Sequence, residues 1–216
     1  MLDTPITERV LWLVVFMLSC AVHEFAHAWA AWRLGDDTAA RQGRLTLNPI
    51  AHADLIGTVI LPLLMAPFAW AKPTPVNPAR FRRGVSMATG DILVSVAGPI
   101  SNVILGLVAS LLYGLLSRVA PAAVANGAGL GELLLTLIVA NAMLAVFNLL
   151  PVPPLDGGHV VGNLIPERWR GAWNTFATFA PFVLMALVIT GASFLRGPII
   201  GLAALLRGAS LMLFGA

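Results

Sequence analysis

The chain has 216 residues, of which 58% are hydrophobic and only 11% charged, against about 25% charged in an average soluble domain. So few polar groups cannot cover a globular surface, which excludes a soluble protein and makes lipid the main solvent. The net charge of +3 comes without a basic run interleaved with aromatics, so no nucleic-acid partner is expected, and the single cysteine, Cys20, excludes an internal disulfide framework.

Charge-free runs mark the expected elements in chain order. Residues 10–32 form the first, broken only by Glu24 and its flanking histidines; 92–117, 133–155 and 171–195 follow, and 197–216 is interrupted only by Arg207. Each is long enough for the roughly 20 residues of a spanning helix. The N-terminus carries Asp3 and Glu8 beside Arg9, which does not suit the basic start of a secretory signal. Met17-Leu18-Ser19-Cys20 loosely resembles a lipoprotein cleavage site. Cutting there would strip the histidines of their helix, so 10–32 is expected to remain a transmembrane helix.

Residues 55–71 are short for a span and contain Pro62 and Pro67, which suits an embedded or re-entrant segment. Basic residues concentrate in cytoplasmic loops. If 55–71 does not cross, Arg33, Arg41, Arg44, Lys72, Arg80, Arg82, Arg83, Arg168 and Arg170 share one side, leaving Arg9, Arg118 and Arg196 on the other. If it crosses, the bias is much weaker. The expected fold class is therefore an all-α polytopic membrane protein. It has about five transmembrane helices, an embedded or re-entrant 55–71 segment, and an N-terminus outside. Two loop stretches, 41–48 and 72–78, are expected to be short extended strands, because the first alternates polar and apolar residues and the second is too proline-rich for a helix.

The chemistry concentrates in His23-Glu24-Phe25-Ala26-His27, an H-E-x-x-H inside the first span. Histidines four apart lie on one helix face and can reach one metal ion, and the glutamate between them can act as general base. Ionisable groups at membrane depth are costly and mark function by default. A catalytic zinc site usually takes a third protein ligand and keeps an open position. Cys20, His52, Asp54, Asp91, Glu132, Asp156 and His159 are the candidates. Asp156 stands out, because Asn148-Leu149-Leu150-Pro151-Val152-Pro153-Pro154-Leu155-Asp156-Gly157-Gly158 breaks an apolar helix into a turn at membrane depth.

H-E-x-x-H in a membrane helix, followed by N-x-x-P-x-x-x-x-D-G at the end of a later one, resembles the site-2 protease family of intramembrane zinc metalloproteases. Ala97-Gly98-Pro99-Ile100-Ser101-Asn102 also resembles that family. The resemblance covers about 10–160 and is closest to compact prokaryotic members without a PDZ domain. It implies a zinc-dependent metalloendopeptidase, with one zinc ion on His23, His27 and Asp156, Glu24 as catalytic base, and Asn148 in contact with substrate or an adjacent loop. It further implies a single domain over 1–216, with a catalytic core at 10–160 and peripheral helices at 171–216. The partners are the lipid bilayer and a transmembrane protein substrate. The expected location is the prokaryotic cytoplasmic membrane, with the active site towards the cytoplasm.

Plainer readings stand beside these. Asp156 before two glycines could cap a turn, Asn148 could end a helix, and Ala97-Gly98-Pro99 reads best as a helix start with Pro at its first turn. His52 reads as a surface or turn residue, His159 as a loop residue, and Cys20 as packing. A non-catalytic scaffold would be expected to have lost Glu24 or a ligand. A metal or proton transporter would be expected to show paired repeats, which are absent here.

Overall fold

The computed structural model describes residues 5–64, 69–125, 129–190 and 193–215. Among them, five helices are long and apolar enough to cross a membrane. In chain order, α1 (Ile6–Arg33), α2 (Thr38–Arg41), α3 (Pro49–His52), a π-helical turn (Leu55–Ile60) and α4 (Leu61–Leu63) precede the long α5 (Met87–Val119). Then come α6 (Gly129–Asn148), α7 (Asp156–Leu164), α8 (Arg170–Ile189) and α9 (Arg196–Phe214). The long helices α1, α5, α6 and α9 share one core, in which Val15, Ala109, Ile138, Ala142, Ala203 and Leu206 are buried. Small residues on α5 permit this close approach: Gly106 lies under Leu206, and Gly114 under Ser210 and Phe214. Helix α8 is peripheral, with Phe179, Phe182 and Met185 exposed where lipid would lie.

The helix ends depart from the charge-free runs for local reasons. Helix α5 starts five residues before residue 92, because the Ser86 side chain accepts a hydrogen bond from the Thr89 amide and caps it. Pro99 therefore lies inside α5 and does not mark its start, correcting the helix-start reading of Ala97-Gly98-Pro99. Helix α6 stops at Asn148, short of 155, because Pro151, Pro153 and Pro154 cannot continue it.

The described ends of the 55–71 segment lie side by side. The Lys72 amide donates to His52 O at 2.9 Å, the Trp70 amide to Gly57 O at 3.2 Å, and the Thr58 hydroxyl to Trp70 O at 2.8 Å. Its two ends are therefore stitched together, as a re-entrant element requires. Its Pro67 lies outside the described residues.

Neither expected strand forms a ladder, and no strand occurs among the described residues. Residues 41–48 run through a turn in which Gly43 takes a φ of 69° and the Arg44 amide donates back to Ala39 O. Residues 69–77 form an arm without regular secondary structure. Pro73 and Pro75 have no amide to give, and the amides at 72, 74 and 77 bind three separate acceptors on His52, Glu24 and Asp36. Asp36, fully buried just beyond α1, accepts from the Asn77 amide at 2.6 Å and from the Thr38 amide at 3.0 Å, which anchors the arm's far end. His52 is buried, not on the surface as expected, and its Nε2 faces Thr46 O at 2.8 Å. It lines no part of the site below.

Candidate metal centre

His23 and His27, one turn apart on α1, face α5 at Gly98. That glycine is required by close approach: a Cβ there would fall 2.4 Å from His27 Nε2 and 2.6 Å from His23 Cε1. Pro99 next to it removes the amide that Ser95 O would accept and disturbs the preceding turn. In that turn the carbonyl of Val94 accepts a hydrogen bond from His27 Nδ1 at 2.7 Å. His23 Nδ1 donates to Asn102 Oδ1, also at 2.7 Å. The Asn102 amide group donates to Asn141 Oδ1 at 2.8 Å and to Ser19 O, and Asn141 Nδ2 donates to Ser19 Oγ at 2.9 Å and to Leu137 O at 2.8 Å. Asn102 and Asn141 are fully buried, so this network ties α1, α5 and α6 together behind the histidines.

With both Nδ1 protons committed, both Nε2 atoms are free to face the same point. They lie 2.9 Å apart, and Asp156 brings Oδ2 to 3.2 Å from His23 Nε2 and Oδ1 to 3.4 Å from His27 Nε2. Asp156 opens α7, whose first turn sits against the bare main chain of the proline turn. A Cβ at Gly157 would meet Leu149 O at 2.3 Å, and one at Gly158 would meet Pro153 N at 2.6 Å. Burial pushes the Asp156 carboxyl pKa up, and the two imidazoles facing it bring it back down, to about 2. A carboxylate binds metal in its ionised form.

The three side chains offer ligand atoms within 4.8 Å of one another. Among the described residues, the only buried side-chain atoms without a hydrogen-bond partner are His52 Nδ1 and Asp156 Oδ2, and the second points into this cluster. Three acceptors converging at one place require protons or a cation between them. Two neutral imidazoles and a carboxylate, each imidazole oriented through its second nitrogen, fit zinc.

The centre opens on a cavity of about 770 Å³. Glu24 lines it beside the histidines, and its Oε2 accepts from the Thr74 amide of the arm at 2.7 Å, while Thr74 Oγ1 donates to Glu24 O at 3.0 Å. Asn148 also lines the cavity, with its Nδ2 donating to Leu144 O at 3.0 Å. Cys20 is buried on the cavity wall. Of the other third-ligand candidates, Asp54 caps the π-helical turn through the amides of Ile56 and Gly57, while Asp91 and His159 pair with each other at 3.4 Å on the cavity wall.

Residues missed in the sequence are Asn102 and Asn141 as supports, and His159 and Asn163 as cavity residues. An asparagine inside each apolar run was the visible signal for the first pair. For the second, His159 and Asn163 follow Asp156 at helical spacing, three and seven residues on, but the glycines after Asp156 argued for a loop. Asn102→Ala is expected to leave His23 Nδ1 and Asn141 Oδ1 without partners. It should weaken zinc binding about 10–100-fold and cost about 1–3 kcal/mol of stability. Zinc titration and thermal unfolding would read this, and unchanged zinc affinity would show that the network does not orient His23.

Known proteins resemble this chain over most of its length. The model of peptidase family M50 matches residues 114–190, the stretch carrying Asn148 and Asp156. The chain is 38% identical over 187 residues to the protein named "Putative zinc metalloprotease YwhC" of Bacillus subtilis, covering 86% of this chain and 83% of that one. It is 32% identical over 185 residues to "Putative zinc metalloprotease Rip2" of Mycolicibacterium smegmatis, covering 85% and 68% respectively. No solved structure matches the chain significantly. With similarity to YwhC running through nearly the whole of both chains, and the family's site-2 protease motifs brought together in space, the chain belongs to peptidase family M50.

Proposed function

We propose that this member of the M50 family, a zinc-dependent metalloprotease of the membrane, hydrolyses peptide bonds within or beside transmembrane segments of other membrane proteins. The observation that carries the reading is the convergence of His23, His27 and Asp156 on one point, beside Glu24, in a helix apolar enough to span the bilayer. In this reading His23 Nε2, His27 Nε2 and the Asp156 carboxylate hold one zinc ion. Zinc, when bound, polarises the substrate carbonyl and lowers the pKa of water at its open position. Glu24 takes the proton of the attacking water and returns it to the leaving nitrogen. Asn148, on the cavity wall, contacts the substrate chain.

A transmembrane substrate hides its carbonyls in helical hydrogen bonds and must unwind before attack. The 69–77 arm, without regular secondary structure, lines the cavity. Pro73 and Pro75 have no amide, so a substrate strand laid along that side would have to supply the donors itself. Basic residues between α1 and α5 and around 168–170 favour the cytoplasmic side for the loops beside the site.

The test uses the full chain in liposomes with a single-span peptide labelled at both ends. Cleavage inside the apolar stretch, stopped by chelating zinc and restored by adding it back, is the expected result. No cleavage within or beside the apolar stretch, or undiminished cutting after verified zinc removal, would overturn the proposal. Metal uptake into the liposomes without any cleavage would favour a transporter instead.

A further inference from the structure

The peptidase reading leaves one requirement unmet by the expected residues: a donor for the negative oxygen that forms when water adds to the peptide carbonyl. Asn148 commits one of the two N–H groups of its Nδ2 to Leu144 O, which leaves it at most one, uncharged donor. No lysine or arginine lines the cavity among the described residues, whereas three carboxylates do: Glu24, Asp91 and Asp156. A divalent ion leaves one of those negative charges unbalanced.

His159 sits one turn after Asp156 on α7, on the same helix face and on the cavity wall. Its Nδ1 lies 3.4 Å from Asp91 Oδ2 on α5. The same carboxylate oxygen accepts from Asn163 Nδ2 at 2.5 Å, and Asn163 Nδ2 also reaches His159 O at 2.9 Å. Asp91 is therefore clamped by two residues of α7, and it fixes the imidazole with Nδ1–H towards α5. The ring is about half exposed and lines the cavity, with Nδ1 rather than Nε2 turned to Asp91. The Asp91 hydrogen bond raises the His159 pKa; burial works against it, and the charges of Asp91 and Asp156 add to the rise while His27 opposes it. Protonated on both nitrogens, the imidazole would carry a second N–H and supply the missing positive charge.

We propose that His159 is a catalytic residue whose Nε2–H donates a hydrogen bond to the scissile carbonyl oxygen as water adds to it. This rests on the peptidase reading above. In the step, the water oxygen bonds to the carbonyl carbon, the C=O π pair moves onto oxygen, and Glu24 takes the water proton. The imidazolium keeps its own proton and only donates to the new oxyanion. When the C–N bond breaks, the pair on oxygen re-forms the carbonyl and Glu24 gives its proton to the leaving nitrogen. Asp91 acts through His159 as a positioning residue.

The experiment uses the full chain in liposomes with the doubly labelled single-span peptide, measuring kcat, KM, zinc content and helical content together. His159→Ala is expected to keep its zinc and its helices, hold KM within about twofold, and lose about 10²–10³-fold in kcat. His159→Gln, which restores a neutral donor, should recover about tenfold of that loss. In Asp91→Asn the alkaline limb of kcat/KM should move to lower pH: the active imidazolium is lost as pH rises through its pKa, and without the carboxylate that pKa falls. Zinc loss in His159→Ala would make His159 a support for Asp156 and overturn the proposal, as would a wild-type kcat or an effect confined to KM. If Glu24→Gln still cuts at the wild-type rate, the peptidase site itself is wrong. If Glu24→Gln is inactive while His159→Ala is fully active, only the role of His159 fails.

Discussion

Glu24→Gln is expected to lower cleavage about 10²–10⁴-fold, the usual contribution of a positioned general base, while leaving zinc content and thermal stability unchanged. The substitution is conservative in each structural respect. Glutamine has the same length, and its Oε1 can still accept from the Thr74 amide, which now binds Glu24 Oε2. The arm should therefore keep its place over the cavity. Glu24 also lies outside the group of ligand atoms formed by His23, His27 and Asp156, so the metal should stay. What is lost is a carboxylate able to take a proton from water. Kinetics beside metal analysis on the same preparation would settle the matter. Cleavage within tenfold of wild type would require another base.

Gly98→Ala is expected to empty the metal site with one methyl group. The added Cβ would lie 2.4 Å from His27 Nε2 and 2.5 Å from its Cε1. These are not the ends of floppy side chains. His27 is tied to Val94 O and His23 to Asn102, so neither ring can move without leaving a buried partner unsatisfied. Within α5 alone alanine would be favoured over glycine by about 0.5–1 kcal/mol. The loss must therefore come from the histidines. Zinc affinity should fall by at least about 10–100-fold, the range seen when ligand-orienting contacts are lost, with activity falling alongside. Gly208→Ala on α9, where the new Cβ meets nothing within 4 Å, is the matched control and should behave as wild type. Full zinc occupancy in Gly98→Ala would show that the two helices can separate freely.

The outline of the fold was legible because lipid imposes a simple rule: a spanning helix must be long and free of charge. The five runs land on α1, α5, α6, α8 and α9, with ends displaced by up to seven residues, and at two of those ends a local device is visible. Ser86 extends α5 backwards, and the prolines after Leu150 truncate α6. The two strands were misjudged for a different reason. Alternation at 44–47 and prolines at 73–78 describe extended backbone, but a strand needs a partner, and nothing local to a sequence supplies one. At the site, His23, Glu24 and His27 are fixed by helical spacing alone. Asp156 required the chemical argument that zinc takes a third ligand. The contacts that hold these groups were out of reach, because Asn102, Asn141 and Ser19 lie on three different helices. His159 was hidden by its own context. Two glycines usually signal a loop, yet here they allow a helix to begin pressed against the main chain of residues 149–153.

That contact separates what fixes the metal geometry from what meets the bilayer. Asp156 is positioned by backbone lying on backbone, and His23 and His27 by a carbonyl and buried amide groups. None of these contacts involves the side chains turned outward, such as Ile100, Ile104, Val108 and Phe182. The outer surface is therefore free to follow changes in membrane thickness or acyl composition, while the arrangement of His23, His27 and Asp156 stays insulated behind it.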